Sequence, residues 1–173
     1  AAANVQKAFL KFAQHVEGTL TKAEAAANDM GVNLGFSGKQ LDIFKRSMLD
    51  TQVTIAKWGK TMEDMQKMQN EYSEQTGRNI QFTTNDFDSS FAFDKLVGQD
   101  GLSNQLTAGM ELFNHSVSDS NEMFFEMYKN VSKIGLNSRK YFKDLQKNLS
   151  LAEKFQFKGG LKSLMEMSKW AQN

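Results

Sequence analysis

Three short stretches carry residue types that could do chemistry. Gly59-Lys60-Thr61 is similar to the end of a phosphate-binding loop, in which backbone amides and a lysine cradle phosphate oxygens. The full motif needs a glycine five residues before Gly59, where Thr54 stands, and a strand leading into the loop. Asp86-x-Asp88-x-Ser90 could open a calcium loop. Phe91, however, occupies the position of the turn glycine and Val97 that of the bidentate glutamate. These aspartates suit a helix N-terminus instead, where the dipole is positive. His15 and His115 are the only histidines, and neither has metal-ligand spacing to another candidate ligand. No nucleophile-elbow pattern accompanies the serines. This reading predicts no catalytic, cofactor-binding or metal-binding residue, and no enzymatic activity in the chain.

The elements that would position such residues read as helices throughout. The 173 residues include no proline, where average usage of about 5% predicts roughly nine. Without the main helix breaker, an all-α protein is expected. There is also no cysteine, which excludes disulfides and thiolate metal sites. No run approaches the 18 or so apolar residues of a membrane span. The chain opens Ala-Ala-Ala-Asn and closes on Trp170-Ala-Gln-Asn in mid-pattern, so it is expected to be a piece of something longer.

The strongest pattern runs from Ser37 to Gln75. Leu41, Met48, Ile55, Met62 and Gln69 share one heptad line, and Phe44, Thr51, Trp58, Met65 and Tyr72 share the partner line. Ser37-Gly-Lys-Gln40 reads as a capping-box start and Gly77 as the stop. One helix of roughly 35 residues, about 50 Å long, is predicted. Its apolar face (Leu41, Phe44, Met48, Ile55, Trp58, Met62, Met65 and Tyr72) is the candidate interface, packing either within the chain or between chains.

Before it, Val5, Phe9, Phe12, Val16, Leu20, Ala23, Ala27 and Met30 predict a helix over residues 4–30, ended at Gly31 and folded back antiparallel on the second. Residues 1–76 therefore read as a long helical hairpin and 77–83 as a linker. Within the linker, Ile80-x-Phe82 is too short to found a sheet. Residues 84–173 read as a cluster of four to five shorter helices. Thr83 or Thr84 caps the first, Ser118 or Asp119 a later one, and Asn137 the one after Gly135. A capping box at Ser150–Glu153 marks a candidate break, and Lys158-Gly159-Gly160 an interruption.

Charge is divided unevenly. Residues 81–128 carry Lys95 alone against eight acidic residues, whereas residues 129–173 carry ten Lys/Arg against three. An acidic helical pair beside a basic one is the first account of this; the alternatives are a basic tail for nucleic acid and complementary ends joining neighbouring subunits.

Val131-Ser-Lys-Ile-Gly-Leu-Asn137, Asp144-Leu-Gln-Lys-Asn-Leu149, Phe155-Gln-Phe-Lys-Gly-Gly-Leu161 and Leu164-Met-Glu-Met-Ser-Lys-Trp-Ala171 resemble segments of tailed-phage tape-measure proteins. They also resemble the large internal proteins that short-tailed phages eject. Met65-Gln-Lys-Met-Gln-Asn-Glu-Tyr-Ser-Glu-Gln-Thr-Gly77 is similar to the stalk preceding such segments, so the resemblance covers residues 60–171. It implies a structural protein housed in the tail or portal lumen of a virion and released during genome ejection. Its partners would be further copies of itself, or portal, tail-tube and tail-tip proteins. The alternatives are ejected cargo of a short-tailed phage, and a helical assembly or adaptor module unrelated to phage. A further alternative is a nucleic-acid binder using Arg139, Lys140, Lys143 and Lys147.

Overall fold

A computed structural model describes residues 2–154 and 160–170. Eight α-helices account for them, with no strand among the described residues. The chain divides into two compact units, Ala1–Lys67 and Met68–Asn173. The expected boundary lay after residue 76. The observed one falls earlier because Met68 and Tyr72 are tied into the second unit, as described below.

The first unit begins with α1 (Ala2–Asn33), which packs against α2 (Gly38–Ile55). The turn between them is set by Gly35 rather than by Gly31. Gly35 has φ +86°, and the Phe36 amide reaches back to the Gly31 carbonyl at 2.9 Å. This is the glycine-plus-apolar helix stop, placed four residues later than the spacing suggested. Gly31 stays helical and serves close approach, since a Cβ there would run into Leu41 and come within 2.9 Å of Phe44 Cδ1. Ser37 stands at the N-cap of α2 without a side-chain cap hydrogen bond, so the expected capping box is not made.

The predicted continuous helix over 37–76 is corrected. Helix α2 ends at Ile55, and a 3-10 turn follows over Ala56–Trp58. Gly59 then takes the left-handed conformation at φ +73°. A new helix, α3 (Met62–Thr76), starts under its own capping box. The Thr61 amide donates to Asp64 Oδ2 at 2.8 Å, and the Asp64 amide donates to Thr61 Oγ1 at 3.3 Å. Gly59-Lys60-Thr61 is therefore a helix break and restart.

In the second unit, α3 ends at Gly77, which has φ +68°. Ile80 and Phe82 lie in the non-helical connection. Helix α4 (Thr84–Val97) opens on a capping box of Thr83 and Asp86, which gives Asp86 its role. Gly98 closes it in the left-handed conformation. Helix α5 (Leu102–Met110) and a 3-10 turn over Glu111–Phe113 follow. Helix α6 (Val117–Lys133) is capped by Ser116, whose hydroxyl accepts the Asp119 amide, rather than by Ser118 or Asp119. Gly135-Leu136-Asn137 ends α6 and caps α7 (Ser138–Lys154): the Leu136 amide returns to the Val131 carbonyl, and Asn137 Oδ1 accepts the Lys140 amide. Helix α7 runs through Ser150, whose hydroxyl donates to the Gln146 carbonyl, so no break falls there. Helix α8 (Gly160–Trp170) packs on α7, where Asn148 donates to Ser168 Oγ at 2.8 Å. The interruption at Lys158-Gly159, the resembling residues Phe155 to Gly159 and Ala171 lie outside the described residues.

The second unit is built around an aromatic core. Phe93 sits among Phe124, Phe125 and Phe142 at ring-centroid distances of 5.6, 5.7 and 4.8 Å. Leu102, Leu106, Met110, Tyr141, Leu145, Leu149 and Leu164 are buried around this aromatic centre.

Candidate functional site

Six of the eight candidate interface residues are buried in the single chain: Phe44, Met48, Ile55, Met62, Met65 and Tyr72. Leu41 and Trp58 are half-buried, with Lys57 Nζ 5.2 Å from the Trp58 ring centroid. The break at Gly59 divides these residues between two helices, so they do not form one unbroken face. They are covered without a second chain.

A run of uncovered apolar residues lies on α1. Val5, Phe9, Phe12, Val16 and Leu20 are between 48% and 70% exposed, although they occupy the apolar positions of an amphipathic helix. Lower on the same helix, Ala23, Ala26, Ala27 and Met30 are buried. The difference follows from length. Helix α1 has 32 residues and α2 has 18, so α2 can run alongside only the C-terminal part of α1. A helix continuing unbroken past Ile55 would have covered the rest. The residues predicted as helix-forming in α1 were thus legible as a stripe, but their exposure was not.

Beside the stripe, α1 and α2 enclose an open groove of about 670 Å³. His15, Val16, Thr19, Leu20, Ala23, Leu49, Gln52, Val53 and Ala56 line it. Its wall is apolar apart from His15, Thr19 and Gln52, and Val53 is itself 78% exposed. His15 is therefore on the rim of an apolar groove.

The ionisable residues of the second unit gather elsewhere and serve its structure. Tyr72 Oη donates to Glu111 Oε2 at 3.2 Å, and Arg78 forms an ion pair with the other Glu111 oxygen. Burial, followed by the neighbouring Glu111 charge, pushes the Tyr72 phenol up to about 12. It therefore remains a neutral donor across the physiological range. His115 lines a cleft of about 410 Å³ with Tyr72, Arg78, Asp86 and Glu111. Asp94 accepts the amides of Gly101 and Ser103 at 2.6 and 2.7 Å, and so fixes the start of α5. Asn104 donates to the Met68 carbonyl at 3.0 Å, which ties the middle of α3 to α5. Among the described residues no three His, Asp or Glu side chains gather as a metal-holding group. No helix of the described residues is long and apolar enough to cross a membrane.

The charged stripes are both exposed. Arg139, Lys140, Lys143 and Lys147 follow one face of α7, and Asp119, Glu122 and Glu126 one face of α6. Alternating stripes on neighbouring helices meet the first account of the charge asymmetry, and they place basic residues where a polyanion could reach them. Comparison with known proteins finds no matching family, no matching curated relative and no matching solved structure.

Proposed function

We propose that this chain is a non-enzymatic structural segment of a tailed-phage virion protein of tape-measure type, which assembles through its helices in the tail or portal lumen and leaves during genome ejection. The observation that carries the assembly part is the uncovered stripe of α1: Val5, Phe9, Phe12, Val16 and Leu20 face solvent in the single chain. Contiguous apolar surface of this kind marks an interaction site. The phage part rests on the resemblance of residues 60–171 to tape-measure and ejected proteins. The Gly135-Leu136-Asn137 element of that resemblance stands at a helix end in this chain. A second reading, ejected cargo of a short-tailed phage, draws support from the aromatic core of the second unit, which suits a locally folded domain.

Quantitative mass spectrometry of purified virions, before and after triggered ejection, tests both. Peptides of this chain are expected in intact particles and depleted from emptied ones. Absence from intact particles overturns the phage reading and leaves the helical assembly module.

A further inference from the structure

Most of the apolar stripe of α1 keeps heptad phase. Phe9, Val16, Ala23 and Met30 share one line, and Val5, Phe12 and Ala26 the other, with polar Thr19 among them and Leu20 beside the seam. The buried and exposed halves of α1 are thus one seam, which α2 covers only in part because it ends at Ile55. Half or more of most of the large side chains from Val5 to Leu20 is exposed, which amounts to on the order of 500 Å² of apolar surface. That lies in the upper part of the range for the largest patch on a typical monomer. Two such faces together would bury about 1,000 Å², above most lattice contacts and within the range of weak, reversible interfaces.

We infer that the occupant of this face is the same face of a second copy, packed antiparallel. This deepens the assembly reading above and depends on it, but it does not depend on the virion. Antiparallel heptad layers set Val5 of one copy opposite Val16 of the other, and Phe9 opposite Phe12. The pairing is self-complementary, as a two-fold interface requires. Ala8 and Ala13 flank the stripe and let the two helices approach closely. A parallel pair would bring both α2 helices to the same level on the face that the pair itself needs. The antiparallel pair sets them at opposite ends and opposes the two helix dipoles. Val5 of each copy then meets Val16 at the edge of the groove on the other copy.

Light scattering on the full chain should give twice the 19.5 kDa chain mass. The double variant Phe9→Glu and Phe12→Glu changes residues exposed in the single chain, so it should give a monomer with an unchanged circular dichroism spectrum. Orientation is read from a spin label on Lys22→Cys, a position that competes with no native cysteine. Antiparallel pairing sets the two labels about 35 Å apart at 1.5 Å rise per residue, and parallel pairing about 10–15 Å. A wild-type monomer, a trimer or larger assembly, or the short label distance overturns the inference. A chain that is found in virions yet is monomeric in solution defeats the pairing alone. A dimer absent from virions defeats the phage reading alone.

Discussion

Phe93 and Phe9 are the same residue type in opposite circumstances. In the second unit Phe93 has no exposed surface and is enclosed by three other rings. In the first, Phe9 stands 68% exposed on a helix that is amphipathic along its length. The second unit also pairs much of its buried polarity: Ser90 and Ser103 both hydrogen-bond Asn121, and Asp94 holds two backbone amides. One unit builds a closed aromatic centre and exposes scattered apolar side chains such as Leu96 and Ile134. The other is a hairpin with arms of 32 and 18 residues, and it leaves the surplus of the longer arm in water.

Shortening each phenylalanine should affect the two units very differently. Phe93→Ala should cost about 3–5 kcal/mol, because it removes the side chain and leaves a cavity among three rings. Phe9→Ala should change the stability of the single chain by less than about 0.5 kcal/mol, as surface changes do. Urea denaturation at a concentration low enough to disfavour association measures both. A large loss for Phe9→Ala would mean that the stripe is already covered within the chain.

The second test isolates the second unit by pH. A phenol pushed up to about 12 in the fold, against an ordinary value of 10, binds its proton more tightly when folded. The contribution of Tyr72 is therefore complete below pH 10 and is lost as the pH rises through 12. Tyr141, which burial and then the Glu166 charge also push up to about 12, adds to the same window. The melting temperature should fall between pH 10 and 12, and less steeply in Tyr72→Phe. An identical slope in that variant would remove Tyr72 from the account.

How much of this was legible depended on whether a local signal competed with a longer one. The stops at Gly77, Gly98 and Gly135 were readable, because a glycine followed the last apolar position in each case. At Gly31 and Gly35 two glycines stand four apart, both followed by apolar residues, and only packing against Leu41 and Phe44 separates their roles. The Gly59 break was hidden because Trp58, Met62 and Met65 keep the heptad spacing across it. The local signal was nevertheless present, as a glycine followed by the capping pair Thr61 and Asp64. The break also bears on the candidate interface. The Leu41–Tyr72 residues pack largely within the chain, one of the two outcomes their spacing allowed, while Val5, Phe9, Phe12, Val16 and Leu20 remain exposed.

The smallest expected effects lie within α1 itself, at two of its glycines. Gly18 belongs to the uncovered half, and a Cβ added there meets nothing within 4 Å. Helical glycine costs roughly 0.5–1 kcal/mol relative to alanine, so Gly18→Ala should stabilise the first unit by about that much. Gly31 has the same helical advantage to gain. Its Cβ, however, would collide with Leu41 and press on the buried Phe44 ring, and overpacking of this kind costs about 1–3 kcal/mol. Gly31→Ala should therefore come out about 1 kcal/mol destabilising. Thermal denaturation of the two variants reads the difference directly. Opposite signs would follow from one half of α1 being packed and the other open. Matching gains would mean that α2 yields to the new methyl group and that the covered half is looser than its buried side chains suggest. Gly18 also stands off both heptad lines, so its substitution should leave the mass of the pair unchanged while the single chain becomes more stable.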